Sequence, residues 1–250
     1  MAVNAKVRIL RFDPSVDSEP YEKEYEITGF DTTSGPLSVL KALHWINNNI
    51  EPIAYDYNCR RASCGLCGMM INGEPRLACM TAIEDGDTVL LEPLAGFPVI
   101  RDLIVDNEKA KRRFVQASVN LKTSSPDKIC KPIEPAEKWW DVISNHTFCR
   151  ECMLCYSTCM SLQQADRWTT FAGPGALAQI YGKHISGIDE SDRVAQAVEM
   201  GVFECMQCGN CTSVCPARIP TSENNKALMD EAESRGIAPK GDKTSWWPMI

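Results

Sequence analysis

The residues of this chain that could do chemistry are cysteines, and two groups of them repeat one spacing. The second group reads C-x2-C-x2-C-x3-C-P, and the first has the same cysteine spacing without the proline. Such runs bind cubane iron–sulfur clusters, and in two-cluster proteins the fourth cysteine of each run binds the other run's cluster. The predicted ligands of one cluster are Cys149, Cys152, Cys155 and Cys215. Those of the other are Cys159, Cys205, Cys208 and Cys211.

A third group of cysteines has a different spacing. It reads Cys59-x4-Cys64-x2-Cys67, with Cys79 further along the chain. This spacing is typical of a plant-type [2Fe–2S] cluster. Gly65 lies within the run and favours a close approach of the backbone, whose N–H groups would point at the sulfurs.

Zinc and thiol–disulfide chemistry are the alternatives for these groups. Zinc sites usually pair two short C-x2-C hooks around one tetrahedral ion, and none of the three groups has that form. Disulfide exchange would need only one C-x-x-C pair. The thirteenth cysteine, Cys130, stands alone and is expected to be a small buried residue.

Composition limits the remaining classes of function. The chain has 250 residues and a net charge of −7, which argues against a nucleic-acid-binding surface. Met1–Lys6 lacks the apolar core of a signal peptide. In a reducing compartment, dense cysteines indicate metal binding or catalysis. No apolar run reaches the ~20 residues of a membrane-spanning helix. We therefore expect a protein that is soluble or is held at a membrane by a partner.

The N-terminal part of the sequence predicts a small α+β domain. Val3–Ile9 and Tyr21–Ile27 alternate apolar and polar residues and predict two strands. Apolar residues then recur at helical spacing up to Ile50, after Pro36. Asn72-Gly73 predicts a two-residue hairpin turn, and Thr88–Leu91 a last strand.

The C-terminal part predicts helices folded around metal. Helices are expected over Asp106–Thr123, Gly175–Tyr181, Ser191–Met200 and Thr221–Arg235, with Gly201 in a left-handed C′ position. Lys131–Pro135 indicates a linker. The apolar tail, Trp246–Ile250, is expected to be covered by a partner.

The sequence around the cysteines resembles the iron–sulfur subunit of the succinate dehydrogenase/fumarate reductase family over nearly the whole chain. The resemblance lies in Cys59–Gly73 (CRRASCGLCGMMING), Leu77–Cys79, Leu91–Leu94 and Val99–Asp106, followed by the two cubane runs in the right order. The stretch Gly68–Gly73 is most similar to menaquinol:fumarate reductases.

The resemblance implies a fold, a set of partners and a location. A plant-type ferredoxin domain of β-grasp fold, residues 1–106, would hold [2Fe–2S] and face a flavoprotein subunit that carries FAD and the dicarboxylate site. A mostly helical bacterial-ferredoxin-like domain, residues 107–250, would hold [4Fe–4S] and a third cluster and dock on a membrane anchor, with or without haem b. Electrons would pass between flavin and a membrane menaquinone or ubiquinone at the cytoplasmic side of the inner membrane. This chain would contain no catalytic residue.

Cys208 departs from the family pattern. Most members have an apolar residue there, so that three cysteines hold a [3Fe–4S] cluster; the matching three are Cys159, Cys205 and Cys211. The third cluster is thus [3Fe–4S], or [4Fe–4S] if Cys208 also binds iron. The family's quinone residues have no clear match, because Met206 stands where some relatives have histidine.

Two other functions are compatible with the cysteine pattern. One is an iron–sulfur subunit of a soluble thiol-linked reductase that uses no quinone, although such relatives often carry extra cysteine-rich domains. The other is a structural zinc protein.

Overall fold

The structure, a computed structural model, describes residues 2–33, 35–117, 121–124, 145–164, 167–186 and 189–237. The chain forms two compact units: Met1–Glu108 with Arg150–Thr158, and Lys109–Cys149 with Cys159–Ile250. Arg150–Thr158 thus packs with the N-terminal part of the chain, a return that the sequence did not predict. Within the described ranges, none of the helices combines the length and the apolar character needed to cross a membrane.

A five-stranded sheet forms the frame of the first unit. Its strands are β1 (Ala2–Arg11), β2 (Tyr21–Asp31), β3 (Gly68–Ile71), β4 (Glu74–Leu77) and β5 (Thr88–Glu92). The spatial order is β2-β1-β5-β3-β4, with β1 parallel to β5 and the other pairs antiparallel. Val7 lies opposite both Tyr25 and Val89, and all three are buried, so alternate residues of β1 enter the core as predicted.

Helix α1 (Val39–Asn49) packs on this sheet. Ser38 is its N-cap, and its hydroxyl accepts from the backbone N–H of Lys41 at 3.3 Å. The residues of α1 that it buries recur at helical spacing: Val39, Leu40, Ala42, Leu43 and Ile46. The unit also contains a short antiparallel pair, β6 (Val99–Arg101) and β7 (Ile104–Val105), and the helical turn α3 (Leu154–Ser157).

The predicted hairpin turn is present between β3 and β4. Asn72 and Gly73 have φ of 51° and 79°, the left-handed conformations that this turn requires. The backbone N–H of Asn72 donates to the carbonyl of Leu90 at 2.9 Å, and its side-chain oxygen accepts from the Leu90 N–H at 2.7 Å. The turn is therefore tied to β5, which keeps the strands around the third cysteine group in register.

The second unit is helical, as predicted. Its elements are α2 (Glu108–Ala117), α4 (Arg167–Thr170), α5 (Pro174–His184), α6 (Arg193–Glu199), a 3-10 turn (Val202–Glu204), α7 (Asn210–Ser213) and α8 (Thr221–Ser234). Helices α5, α6 and α8 pack against one another. Their shared core contains Leu177, Ile180, Val194, Ala197, Leu228 and Ala232.

The observed helices differ from the predicted ones mainly in length. The helix expected over Asp106–Thr123 begins at Glu108, and residues 121–123 are not helical. Gly201 has the expected left-handed φ of 81°. Cys130, the linker Lys131–Pro135 and the tail Trp246–Ile250 lie outside the described residues.

A buried ion pair lies at the start of α6. Arg193 and Asp189 expose 2% and 1% of their side chains, and Arg193 Nε donates to Asp189 Oδ2 at 2.7 Å. Burial opposes the charged carboxylate, but the Ser191 N–H and the Arg193 guanidinium outweigh it and hold the pKa of Asp189 below its usual value. The pair is therefore ionised in the folded chain.

Arg193→Met is expected to lower the free energy of unfolding by about 3–5 kcal/mol, because it leaves a buried carboxylate without its partner. Lys226→Met is the matched control. It breaks an ion pair with Asp230 at the same i,i+4 spacing, but both side chains are more than half exposed, so the cost should stay below about 1 kcal/mol. Urea unfolding followed by circular dichroism measures both, and equal losses would contradict the prediction.

Candidate metal centres

The loop that begins at Cys59 directs backbone N–H groups at one sulfur. Cys59 Sγ accepts from the N–H groups of Arg61, Ser63 and Cys64 at 3.5, 3.1 and 3.2 Å. Three donors on one sulfur suit a negatively charged thiolate, which is the form that binds iron. The N–H of Arg61 contributes most to lowering the pKa of Cys59, to about 7.

Left-handed residues give the loop this shape. Arg60 and Ala62 have φ of 58° and 60°, a conformation that costs a non-glycine residue about 1–2 kcal/mol. It turns successive N–H groups toward a common concavity, the arrangement known as an anion-binding nest. The N–H of Ala62 reaches a second sulfur of the group, Cys79 Sγ, at 3.3 Å. The structure thus brings the two ends of this cysteine group together.

On the interior side of the same group, burial disfavours the charged form of a thiol. Cys67 is buried, whereas Cys59, Cys64 and Cys79 are partly accessible. Burial raises the pKa of Cys67 to about 12, and the neighbouring thiols of Cys79 and Cys64 add to the rise. Cys67 would therefore stay neutral without a positive centre beside it. A [2Fe–2S] cluster fits this donor set, because iron binding offsets the cost of ionising a buried thiol.

The segment Arg150–Thr158 closes over this loop within the first unit. A Cβ on Gly65 would lie 2.4 Å from the carbonyl oxygen of Arg150 and 2.9 Å from Cys152 Cβ, and φ of Gly65 is +74°. Only glycine fits such an approach. Further along the same segment, Ser157 Oγ donates to Met70 Sδ at 3.5 Å. The sequence predicted that Gly65 allows the backbone to approach the cluster. In the structure, Gly65 also leaves room for the cysteine-bearing segment Arg150–Thr158.

Cysteines from two runs meet in the second unit. Cys159 and Cys211 are buried, Cys205 is half-buried and Cys208 is exposed. Burial raises the pKa of Cys159 to about 11 and that of Cys211 to about 12. In both cases, the neighbouring charges of Cys205 and Cys208 add to the rise. The three expected ligands of the third cluster thus lie within electrostatic reach of one another, and the Cys208 thiol lies within electrostatic reach of Cys159 and Cys211.

Two side-chain amides also reach this group. Gln207 Nε2 and Asn225 Nδ2 lie 3.3 and 3.5 Å from Cys205 Sγ. The cysteine spacing pointed to neither residue, because glutamine lies at a variable position of the run and Asn225 lies on α8, beyond it. No spacing rule would have found Asn225, since its role depends on how α8 packs.

The remaining cysteine set is divided between the two units. Cys152 and Cys155 belong to the first unit and Cys149 and Cys215 to the second. Cys215 Sγ accepts from the N–H of Ile219 at 3.4 Å. A common cluster for these four thiols stays a prediction.

His146, three residues before Cys149, has a packing role. It is buried, and its Nε2 lies 2.7 Å from the amide nitrogen of Asn224. Its carbonyl accepts from Gln179 Nε2 at 3.0 Å and from the Cys149 N–H at 3.2 Å. The histidine therefore ties the start of the first cubane run to α5 and α8. Of the other histidines, His44 lies in α1, where its Nδ1 is 2.7 Å from the Tyr55 hydroxyl.

Comparisons with known families agree with this description. Residues 6–112 match the family described as "2Fe-2S iron-sulfur cluster binding domain", and residues 145–219 match "4Fe-4S dicluster domain". The fold and the cysteine groups therefore define an iron–sulfur protein that joins a [2Fe–2S] domain to a domain of the dicluster type.

Individual relatives show which iron–sulfur proteins this chain is similar to. The chain is 34% identical over 229 residues to the fumarate reductase iron–sulfur subunit of Escherichia coli O157:H7, covering 86% of this chain and 88% of that protein. It is 34% identical over 214 residues to a subunit of the CoM/CoB fumarate reductase of Methanothermobacter marburgensis, covering 85% of this chain and 41% of that protein. Its structure is similar to a chain of the Mycobacterium smegmatis Sdh1 complex in the apo form, with a TM-score of 0.80 and 28% identity. The match covers 96% of this chain and 100% of that chain.

The chain belongs to the family of fumarate reductase and succinate dehydrogenase iron–sulfur subunits. This confirms the resemblance noted in the sequence and the α+β fold class, with a sheet domain followed by a helical domain.

Gly65→Ala is expected to reduce the [2Fe–2S] content of the purified protein, because its methyl group would collide with the Arg150 carbonyl. Gly73→Ala is the matched control, because φ of Gly73 is also positive. Nothing lies within 4 Å of the added carbon, so the substitution costs only the energy of the left-handed conformation, about 1–2 kcal/mol. Visible circular dichroism and iron analysis measure the cluster. Equal cluster loss in both variants would contradict the close approach.

Proposed function

We propose that this chain is the electron-transfer subunit of a membrane-bound fumarate reductase or succinate dehydrogenase, linking a flavoprotein subunit to a membrane quinone. The observation that carries the proposal is the combination of a plant-type cysteine loop with two interleaved cubane runs in a chain of this family. Iron–sulfur clusters supply one-electron transfer at potentials that the surrounding protein adjusts. The protein's own contribution is to hold the thiolates and to place N–H donors on their sulfurs.

The proposed ligand sets follow the three cysteine groups. Cys59, Cys64, Cys67 and Cys79 hold [2Fe–2S]. Cys149, Cys152, Cys155 and Cys215 hold [4Fe–4S]. Cys159, Cys205 and Cys211 hold the third cluster. The backbone nest at Cys59 supports the first set, because its N–H groups favour added negative charge at the sulfurs when an electron arrives.

We propose further partners from the named relatives. FAD and the dicarboxylate site would lie on the flavoprotein subunit, so that this chain contributes no catalytic residue. A membrane anchor subunit, with or without haem b, would hold the chain at the cytoplasmic side of the inner membrane and share the site of menaquinone or ubiquinone. The relatives' names support a role as one subunit of a larger complex, since one is a fumarate reductase subunit and another a chain of an Sdh1 complex.

A soluble thiol-linked reductase is the second candidate. One observation favours it: the chain is 34% identical to a subunit of a fumarate reductase named for CoM and CoB. That relative is much longer, since the alignment covers only 41% of it. The extra length is consistent with a partner domain that a quinone-linked subunit does not need.

Purification of the tagged chain from detergent-solubilised membranes separates the two candidates. The quinone-linked function predicts recovery with an FAD-containing subunit and a membrane subunit, and fumarate reduction by a menaquinol analogue. Recovery from the soluble fraction with a flavoprotein alone, and fumarate reduction by dithiols but not by quinol, would establish the second candidate instead.

The third cluster is proposed to be [4Fe–4S], completed by Cys208. Its support is the place of Cys208 in the run between Cys205 and Cys211, with its thiol near enough to Cys159 and Cys211 to contribute to the raised pKa of both. A thiol in that position can bind the fourth iron of a cubane, which three cysteines leave without a protein ligand.

Cys208→Ala is therefore expected to convert the third cluster to [3Fe–4S]. The oxidised wild-type protein should lack a strong three-iron EPR signal, and the variant should show one. Cys130→Ala, which changes the lone cysteine, is the control and should leave the spectrum unchanged. A strong three-iron signal in the wild type, unaltered in the Cys208 variant, would exclude Cys208 as a ligand.

A further inference from the structure

Cys205 Sγ, which belongs to the proposed ligand set of the third cluster, accepts hydrogen bonds from two side chains. Gln207 Nε2 lies 3.3 Å from Cys205 Sγ, and Asn225 Nδ2 lies 3.5 Å from it. Both distances are within the range for N–H donors to sulfur. A cluster-bound thiolate has only accepting lone pairs, so the amide nitrogens are the atoms that face it.

The fold brings these amides to the sulfur from two directions. Gln207 lies between Cys205 and Cys208 with a left-handed φ of 55°, and its side chain also contacts Met229 Sδ at 3.4 Å. Met229 and Asn225 are four residues apart on α8 and so share one helix face. That face of α8 therefore lies against Cys205.

Asn225 is an unusual residue for a packed helix face. It is fully buried, and its Oδ1 has no hydrogen-bond partner among the described residues. A buried amide with an unsatisfied oxygen destabilises a fold, and leucine would fill similar space without this cost. Packing alone therefore does not account for asparagine here, whereas its contact with the sulfur does.

We propose that the amides of Gln207 and Asn225 donate to the Cys205 sulfur of the third cluster and raise the reduction potential of that cluster. The inference rests on the proposed ligand role of Cys205. Reduction adds negative charge that is shared by the cluster sulfurs, and N–H donors stabilise the reduced form more than the oxidised form. Gln207 and Asn225 are positioning residues: they touch a ligand and not the iron.

The test uses the intact complex and replaces each amide by an apolar side chain of similar size, in Asn225→Leu, Gln207→Met and the double variant. EPR-monitored redox titration gives the midpoint potential of each cluster. We expect the third cluster to shift to lower potential in each single variant and further in the double variant. The midpoint potential of the [2Fe–2S] cluster should not move.

Asn224→Leu is the matched control. Asn224 is the preceding residue of α8 and is also buried, but its amide lies 2.7 Å from His146 Nε2 instead of contacting Cys205. The same substitution there should leave the potential of the third cluster unchanged. A purely structural effect of placing leucine in α8 would instead move both variants alike, and that result would overturn the proposal.

The outcomes also separate this inference from the proposed function. If the wild-type complex contains the third cluster but its potential is unchanged in the variants, the amide role is wrong while the function stands. If iron analysis and EPR find no third cluster in the wild type, the proposed function fails. Should Asn225→Leu not assemble, the half-buried Gln207 decides the question: an unchanged potential in Gln207→Met overturns the proposal.

Discussion

The structure depends on how negatively charged sulfur can be accommodated in a folded chain. A buried thiolate is unfavourable unless a positive centre or N–H donors lie beside it. On the exposed side of the group Cys59–Cys79, the backbone nest around Cys59 supplies such N–H donors. The buried thiols Cys67, Cys159 and Cys211 also receive backbone N–H hydrogen bonds, but burial outweighs them and raises the pKa of each. Iron would offset the cost of ionising them, so we expect cluster binding and the stability of the fold to be coupled.

Each cysteine group is held by a different kind of element. The sheet and the hairpin at Asn72 position the loop from Cys59 to Cys67, and the segment Arg150–Thr158 covers it through the space that Gly65 leaves. In the second unit, the packing of α5, α6 and α8 positions the group around Cys205. The first unit thus uses backbone donors on its sulfurs, whereas the second adds the side-chain amides of Gln207 and Asn225. With the proposed ligand sets, this difference would give the chain separate means of adjusting the potentials of two clusters.

Much of this arrangement could be predicted from the sequence because the signals are local. Alternating residues in β1 and the Asn72-Gly73 pair each act over a few residues, and the fold agrees with both. The cysteine spacings are local too and agree with the two matched domain families, whereas the ligand sets stay a prediction. The sequence could not predict the return of Arg150–Thr158 to the first unit or the contact between Asn225 and Cys205. Both depend on packing between segments that are distant in the chain. The predicted helix over Asp106–Thr123 was too long, because α2 begins at Glu108 and residues 121–123 are not helical.

Twelve of the thirteen cysteines are proposed to hold three iron–sulfur clusters. Iron and acid-labile sulfide analysis of the purified complex, combined with Mössbauer spectroscopy, tests this proposal directly. We expect about ten irons and as many sulfides per chain, divided among one two-iron and two four-iron clusters. A chain that contains zinc in place of iron, or iron enough for only one cluster, would contradict it.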